Sequence, residues 1–242
     1  MMKPTSSQHG FVLITSLIFL IVLSILGVMA MRGSLFEERM AANDRDRALA
    51  REYAEMALRD AERDILGIRF NGTFCAAVGC GTLRPAGTRP ANAVDAGNFW
   101  IAANPIVDDI ALEDGGLGQA MPLQGVYSAE ASTACGMPVW SGANWEDNSN
   151  PPRACAGTIA AAVPTIRYGQ FTDAPFVGPD GVAAPQGIPP PRYMIEVFKA
   201  ADLGIIGSSN KMFFRITAVG FGRTAGPAGL TSVTLQSVFS PL

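Results

Sequence analysis

Hydrophobic residues are concentrated first in one uninterrupted run near the start of the chain. The 21 residues from Phe11 to Met31 include no charged side chain, and Thr15, Ser16 and Ser24 are the only ones with a hydroxyl. At a rise of about 1.5 Å per residue, a helix of this length spans roughly 30 Å, the thickness of the hydrocarbon core of a bilayer. The run therefore predicts one membrane-spanning helix.

After residue 31 the apolar positions recur at steps of three and four residues, which is the pattern of an amphipathic helix. Sixteen of the residues from Arg32 to Asp64 are charged, nine acidic and seven Arg, as expected of a helix with solvated faces. No Pro occurs between residues 5 and 84, so we expect one continuous helix over residues 11–66 that ends at Gly67. The stripe predicted to pack on the rest of the protein consists of Leu49, Tyr53, Met56, Ala57, Asp60, Ala61 and Ile65.

Residues 192–242 alternate apolar and polar side chains in three runs, Arg192–Phe198, Lys211–Phe221 and Thr231–Phe239. Gly, Ser, Asn and Pro separate the runs, which is typical of an antiparallel meander. We expect one face of this sheet to pack on the amphipathic part of the helix, residues 32–66. The predicted fold class is α+β: a long N-terminal helix, transmembrane in its first half and amphipathic in its second, packed on a C-terminal antiparallel β-sheet.

The intervening segment, residues 67–191, predicts a loop-rich region. Fourteen of the 17 Pro residues lie in it, and Pro is disfavoured in helix interiors and central strands. The segment also holds all four Cys. An even number of Cys in an exported chain suggests disulfides, with three possible pairings, although free buried thiols are an alternative. Because each would close a short local loop, we favour the pairs Cys75–Cys80 and Cys135–Cys155.

A short polar leader, residues 1–10, precedes the apolar run. Lys3 and the terminal amine are its positive charges, and the positive-inside tendency therefore places the N-terminus in the cytoplasm and the body in the periplasm. A secretory signal would carry a small-x-small cleavage site after the apolar run, and no convincing one is found there. The candidate processing point lies before the run, at the Gly10–Phe11 bond.

The motif Gly-Phe-Val-Leu-Ile that begins at Gly10, followed by an apolar and then an amphipathic helix, resembles the class III signal of type IV pilins. The resemblance implies that a prepilin peptidase cuts after Gly10 and methylates the new terminal amine of Phe11. It also implies an assembly interface on the apolar helix that includes Phe11, Thr15, Gly27 and Gly33. Each of these two helical glycines costs about 1 kcal/mol relative to Ala. They either allow close packing of helices in lipid or mark a segment that unwinds on filament assembly.

The charged part of the helix, Glu37–Glu62, is similar to the corresponding segment of PilX-type minor pilins. The strings R-Y-M-I-E, F-R-I-T-A-V-G-F-G and L-Q-S of the C-terminal region resemble the same family, so that the resemblance covers residues 8–66 and 190–239. The matching residues of the helix are Glu38, Met40, Asn43, Arg45, Asp46, Arg47, Ala50, Glu55, Ala57, Leu58, Arg59 and Glu62.

This resemblance implies a minor pilin, not an enzyme, that helps to initiate assembly of a type IV pilus at or near the filament tip. The implied partners are other minor pilins, the major pilin, prepilin peptidase, the inner-membrane assembly machinery and the lipid bilayer. The implied localisation is the inner membrane, as a single-pass protein, and then the pilus at the cell surface.

One position departs from the pilin pattern. Most pilins carry Glu at the fifth mature position, which here is Thr15. In the family that Glu neutralises the terminal amine of a neighbouring subunit, so its absence implies a subunit other than the repeating one. Pseudopilins of the K type in type II secretion also lack it and are one alternative, but their larger helical insertion does not resemble the Pro-rich segment here. A surface adhesin or DNA-capturing pilin is another alternative, and it would need an exposed basic or aromatic groove.

Motifs for catalysis or metal binding are few. The single His is His9, in the predicted leader, so no Ser-His, Cys-His or His-based metal site is expected in the mature chain. The segment Gly220–Gly226 is near a dinucleotide fingerprint but has the wrong spacing, and we expect it to form a hairpin turn. An acidic patch could hold Ca²⁺, although solvated loop charge is the favoured interpretation because the patch lacks the spacing of a calcium loop. Its residues are Asp108, Asp109, Glu113 and Asp114.

The overall charge adds one exclusion. The formal net charge is -3 and the sequence pI is near 5.2, whereas a general nucleic-acid binder normally shows a basic face. We therefore expect no specific nucleic-acid partner, and the sequence indicates no cofactor and no metal.

Overall fold

A computed structural model describes residues 9–77, 79–80, 89–100, 125–128, 137–143, 145, 165–178, 181, 187–200, 203–205, 211–226 and 229–241. The chain divides into two units, Met1–Arg45 and Asp46–Leu242, and the predicted α+β class is confirmed. The described elements are α1 (His9–Ile65), β1 (Arg69–Phe70), β2 (Phe74–Cys75), α2 (Ala93–Phe99), β3 (Val126–Ser128), α3 (Val139–Gly142), β4 (Ile166–Arg167), β5 (Arg192–Lys199), β6 (Met212–Gly226) and β7 (Gly229–Phe239).

The predicted long helix is confirmed, since α1 continues for 57 residues. It ends as expected at Gly67, whose φ of 66° lies in the left-handed region that favours glycine. The amide of Ile68 donates to the carbonyl of Arg63 at 2.8 Å, and the amide of Gly67 donates to the carbonyl of Asp64 at 3.1 Å. These two bonds form a Schellman motif, which satisfies carbonyls that the end of the helix leaves without partners.

The larger sheet has five strands in the order β3-β5-β6-β7, with β4 paired to β5. The pairs β5–β6 and β6–β7 are antiparallel, as the alternating pattern predicts, with Ile195 opposite Ile216 and Ala218 opposite Leu235. β1 and β2 form a separate two-stranded antiparallel sheet directly after α1. In the described part of the chain, β5 and β6 are therefore the inner strands of the larger sheet, and β7 is the last strand of its order.

The amphipathic half of α1 packs on this sheet mainly through small side chains. Of the predicted stripe, five residues are buried, whereas Leu49 and Met56 are half-buried. The main core combines Ala57, Ala61 and Ile65 of α1 with the inward faces of β5 and β6. Those faces carry the residues expected from the alternation: Tyr193, Ile195, Val197, Met212, Phe214, Ile216 and Ala218.

The structure adds a parallel strand to the predicted antiparallel meander. β3, from the Pro-rich region, pairs in parallel with β5, with Val126 opposite Ile195. Its neighbour Tyr127 joins Val139 and Met194 in a second core on the opposite face of β5. β5 is therefore covered on both faces. An alternating pattern of apolar and polar residues predicts burial of one face only, so it does not reveal the second core.

The expectation of a hairpin turn at Gly220–Gly226 is wrong. These residues belong to β6, and β7 begins only at Gly229, with Gly226 opposite Gly229. Gly220 and Gly222 serve close packing instead. A Cβ at Gly220 would meet backbone atoms of Ala50 and Ala54 of α1 closer than 3.0 Å.

Candidate assembly site

The apolar segment of α1 exposes its large side chains along its whole length. Phe11 is 73% exposed, Phe19 67% and Met31 71%. Among the described residues one helix is long and apolar enough to cross a membrane, and it lies near the N-terminus with none of its most apolar stretch buried. Such a surface requires lipid or other apolar helices around it.

The hydroxyl groups in this segment donate to their own helix. Thr15 Oγ1 lies 3.1 Å from the carbonyl oxygen of Phe11 and 3.0 Å from that of Val12. Ser16 donates to the Leu13 carbonyl at 2.9 Å, and the hydroxyl of Ser24 also bonds one turn back. Each donor is thus satisfied without water, as a lipid environment demands.

The residues predicted to form the processing and assembly site all lie in α1. Gly10 and Phe11 are in its first turn, Thr15 follows one turn later, and Gly27 and Gly33 are helical. A Cβ at Gly27 would meet nothing within 4 Å, so space within this single chain does not require glycine there. Their roles in cleavage and in subunit contacts stay predictions.

The second unit begins with a carboxylate that bonds to the sheet. Asp46 is 7% exposed and accepts a hydrogen bond of 2.6 Å from the backbone amide of Arg223 in β6. Gly222 leaves room for this carboxylate, because a Cβ there would lie 2.6 Å from Asp46 Oδ1. This contact and the close approach at Gly220 fix the lateral position of α1 on the sheet.

A buried ion pair lies at the C-terminal end of α1. Asp64 Oδ2 lies 3.1 Å from Arg89 Nε, and both side chains are fully buried. The hydroxyl of Tyr193 donates to the same carboxylate at 3.1 Å. Burial, followed by the negative charges of Asp64 and Asp60, raises the pKa of Tyr193 well above its ordinary value. The tyrosine therefore stays protonated and remains a donor to Asp64.

Asp60, one turn earlier, is completely buried and has neutral hydrogen-bond donors. Its Oδ2 accepts from the backbone amide of Gly169 at 2.7 Å, and its Oδ1 contacts the hydroxyl of Thr172. Burial is the main cause that raises the pKa of Asp60 from 3.8 to about 6, while the bonds from Thr172 and Gly169 act in the opposite direction. This helix position therefore holds a carboxyl with a pKa of about 6.

The stripe predicted from the sequence includes Asp60 but neither Asp46 nor Asp64. A signal was available, because the three acids share the spacing of the buried positions. Together they form the series Asp46, Ala50, Tyr53, Ala57, Asp60 and Asp64. Acids at core-facing positions of a helix indicate specific buried partners, since an unpaired buried charge is costly.

The pair Cys75–Cys80 is found as a disulfide, with its Cα atoms 5.9 Å apart. It joins β2 to the segment after it, close to the end of α1. Cys135 and Cys155 lie outside the described residues, so the second pair stays a prediction. The acidic patch of residues 108–114 also lies outside them. Within the described part of the chain, no group of three His, Cys, Asp or Glu side chains could hold a metal ion.

An apolar, exposed N-terminal helix that continues into a helix-on-sheet body defines a pilin-like membrane protein. Two family models match the chain: PilX N-terminal over residues 9–59, and type IV pilus assembly protein PilX C-term over residues 84–241. The chain belongs to the PilX family of type IV pilus assembly proteins. Neither a comparison with curated proteins nor one with solved structures gives a significant match.

Membership of the PilX family implies a minor pilin, a structural component of the type IV pilus system that interacts with other pilins. The one membrane-spanning candidate helix in the described residues fits a single-pass protein of the inner membrane.

Proposed function

We propose that this minor pilin initiates assembly of a type IV pilus and stays at or near the filament tip. The observation that carries the proposal is Thr15. The fifth residue of the proposed mature chain offers a hydroxyl that already donates to the carbonyls of Phe11 or Val12 in its own helix. It offers no carboxylate.

The physical argument concerns the terminal amine that processing creates. Inside a filament shaft, the apolar helix has neighbours above and below, so the amine of one subunit lies in a region of low dielectric constant. An unpaired charge there is costly, and a nearby carboxylate offsets the cost. Thr15 cannot neutralise its own amine or the amine of a neighbour. The chain therefore fits best where one of these neighbours is missing, as at a tip.

Processing and topology belong to the same proposal. We infer that prepilin peptidase cuts the Gly10–Phe11 bond and methylates Phe11, that the N-terminus faces the cytoplasm, and that the body lies in the periplasm. The disulfide between Cys75 and Cys80 supports this orientation, because disulfides form and persist in oxidising compartments. After assembly the chain would reach the cell surface on the pilus.

The proposed partners follow from the exposed apolar helix. Side chains such as Phe11, Leu13 and Phe19 are at least two-thirds exposed in the single chain. Lipid covers them before assembly, and the helices of other minor pilins and of the major pilin cover them afterwards. The inner-membrane assembly machinery would transfer the chain between the two states.

The test compares complementation of a deletion strain by the wild-type chain, by Thr15→Glu and by the matched control Thr15→Val. Val keeps the β-branched shape of Thr but has no hydroxyl or charge. The deletion should sharply reduce the number of pili, and both the wild type and Thr15→Val should restore it at a few copies per filament. Thr15→Glu should raise the number of copies recovered in sheared pili. Wild-type abundance comparable to that of the major subunit would rule out the tip role.

A further inference from the structure

Two buried carboxylates lie one turn apart on α1, but they have different kinds of partner. Asp64 is paired with the guanidinium of Arg89 at 3.1 Å. Asp60 is 0% exposed, and it accepts hydrogen bonds from the Gly169 amide and the Thr172 hydroxyl. Since neither donor carries a charge, burial of an ionised Asp60 is compensated less well than burial of Asp64.

The charges that face Asp60 do not remove this difference between the two carboxylates. On its own helix, Asp64 disfavours ionisation of Asp60 and Arg63 favours it. Arg63 is only half-buried, and its guanidinium lies 3.7 Å from the centre of the Phe74 ring. From the other elements in the described part of the chain, the phenols of Tyr168 and Tyr193 face Asp60, and burial raises the pKa of both, so that they stay neutral.

We propose that Asp60 is a proton-operated latch: its protonated carboxyl holds the loop of residues 168–174 closed against α1, and loss of the proton favours opening of that loop. Thr172 suits both forms of the carboxyl. A hydroxyl can donate to an ionised carboxylate or accept from a protonated one. Protonation therefore requires no rearrangement of the closed loop.

The same loop covers the neighbouring ion pair. Phe171 stacks beneath Arg89, with the guanidinium carbon 3.8 Å from the ring centre. The carbonyl of Thr172 accepts a bond of 2.7 Å from the amide of Phe70, directly after the end of α1. Gly169 has a φ of 75° and sits tightly against Ala174, so the closed loop has a defined shape. Opening it would expose the Asp64–Arg89 pair together with Asp60.

The direction of the effect follows from proton linkage. In the closed loop the pKa of Asp60 is about 6, against 3.8 for the ordinary carboxyl. The closed state therefore binds more protons between these two values, and loop opening becomes more favourable as pH rises through this window. Well above pH 6 both states are ionised, and the effect levels off.

The test is hydrogen exchange of the full chain in detergent micelles between pH 4 and pH 7. The amide of Gly169, corrected for the intrinsic pH dependence of exchange, should lose protection on the order of 50-fold over this range. Asp60→Asn should abolish this loss of protection, because a side-chain amide does not titrate. Asp44→Asn, which removes an exposed carboxylate of the same helix, should leave the loss unchanged. The amide of Ile216 in central β6 reports global unfolding, and it should stay more strongly protected than the amide of Gly169 at every pH.

A second measurement applies even if Asp60→Asn fails to fold. Carbon-13 NMR of the Asp60 carboxyl should give a midpoint near pH 6 in the wild-type chain. Thr172→Val should move this midpoint upward, since the Thr172 bond lowers the pKa. A midpoint near pH 4 in the wild type, or Gly169 protection with the same pH dependence in Asp60→Asn, would overturn the latch.

Discussion

Gly220→Ala tests the packing that joins the helix to the sheet. A Cβ at this position would meet Ala50 O, Ala54 N and Tyr53 C of α1, all closer than 3.0 Å. All three are backbone atoms of a helix and cannot rotate away as a side chain could. To accept one methyl group, α1 and β6 must separate. This separation would also loosen the packing of the small side chains of α1 on the sheet.

Insertion of extra atoms into a packed core costs typically 1–3 kcal/mol, and a clash with backbone belongs at the upper end, about 3 kcal/mol. For a unit of this size, a loss of that magnitude lowers Tm by roughly 6–12 °C. Trp100 is a suitable reporter. It is 1% exposed in the main core, and its indole N–H donates to the carbonyl of Ile65 at 2.8 Å. Its fluorescence should therefore follow separation of α1 from the sheet.

The matched control is Gly97→Ala in α2. A Cβ at Gly97 would meet nothing within 4 Å, and replacement of Gly by Ala inside a helix is favourable by up to about 1 kcal/mol. Thermal and urea unfolding should thus show a clear loss for Gly220→Ala and no loss for Gly97→Ala. Equal stability of Gly220→Ala and the wild type would refute the close approach of β6 to α1.

Three further changes test other contacts. Asp64→Ala leaves the buried guanidinium of Arg89 without its main partner, and urea unfolding should show a loss of about 3–5 kcal/mol; a loss below 1 kcal/mol would contradict the buried pair. Gly67→Ala forces a side chain into left-handed backbone at the end of α1, and it should lower the free energy of unfolding by more than 1 kcal/mol in the same measurement. Unchanged stability would contradict the Schellman motif. Cys80→Ser opens the short loop to Cys75 and should cost about 2 kcal/mol; peptide mapping without reductant should find the Cys75–Cys80 link in the wild type, and a different pairing would contradict it.

The sequence predicts the elements of this fold that have strong local periodicity. The apolar run at Phe11–Met31, the stripe around Tyr53 and Ala57 and the alternation of β5 and β6 lead to α1 and to the antiparallel meander. Local pattern suffices in these cases because the period of a helix or strand directly sets which side chains face the core. Gly67 is predicted for the same reason, since a glycine after the last periodic residue is a local end signal.

What the sequence does not reveal depends on contacts between distant residues. Gly220 and Gly222 have the local signature of a turn, but they serve the approach of α1 and the Asp46 carboxylate, which lie more than 150 residues away. Asp60 is bonded to Gly169 and Thr172, which both come from the Pro-rich region. No periodicity in that region indicates which segment covers the helix. β3 is only three residues long, too short for its alternation to predict a strand.

The candidate site could likewise be predicted only in part from the sequence. The apolar helix could be predicted because it depends on a contiguous pattern, whereas cleavage at the Gly10–Phe11 bond stays a prediction. The subunit contacts of Thr15, Gly27 and Gly33 depend on neighbouring chains in a filament, so neither the sequence nor the fold of one chain determines them.

The most direct test of the central claim is the N-terminal residue and intact mass of this chain recovered from purified, sheared pili. A minor pilin that enters the filament should begin at Phe11, carry one methyl group on its terminal amine and be present at a small fraction of the amount of the major subunit. Recovery of the chain only from the membrane, still beginning at Met1 or Met2, would contradict the account.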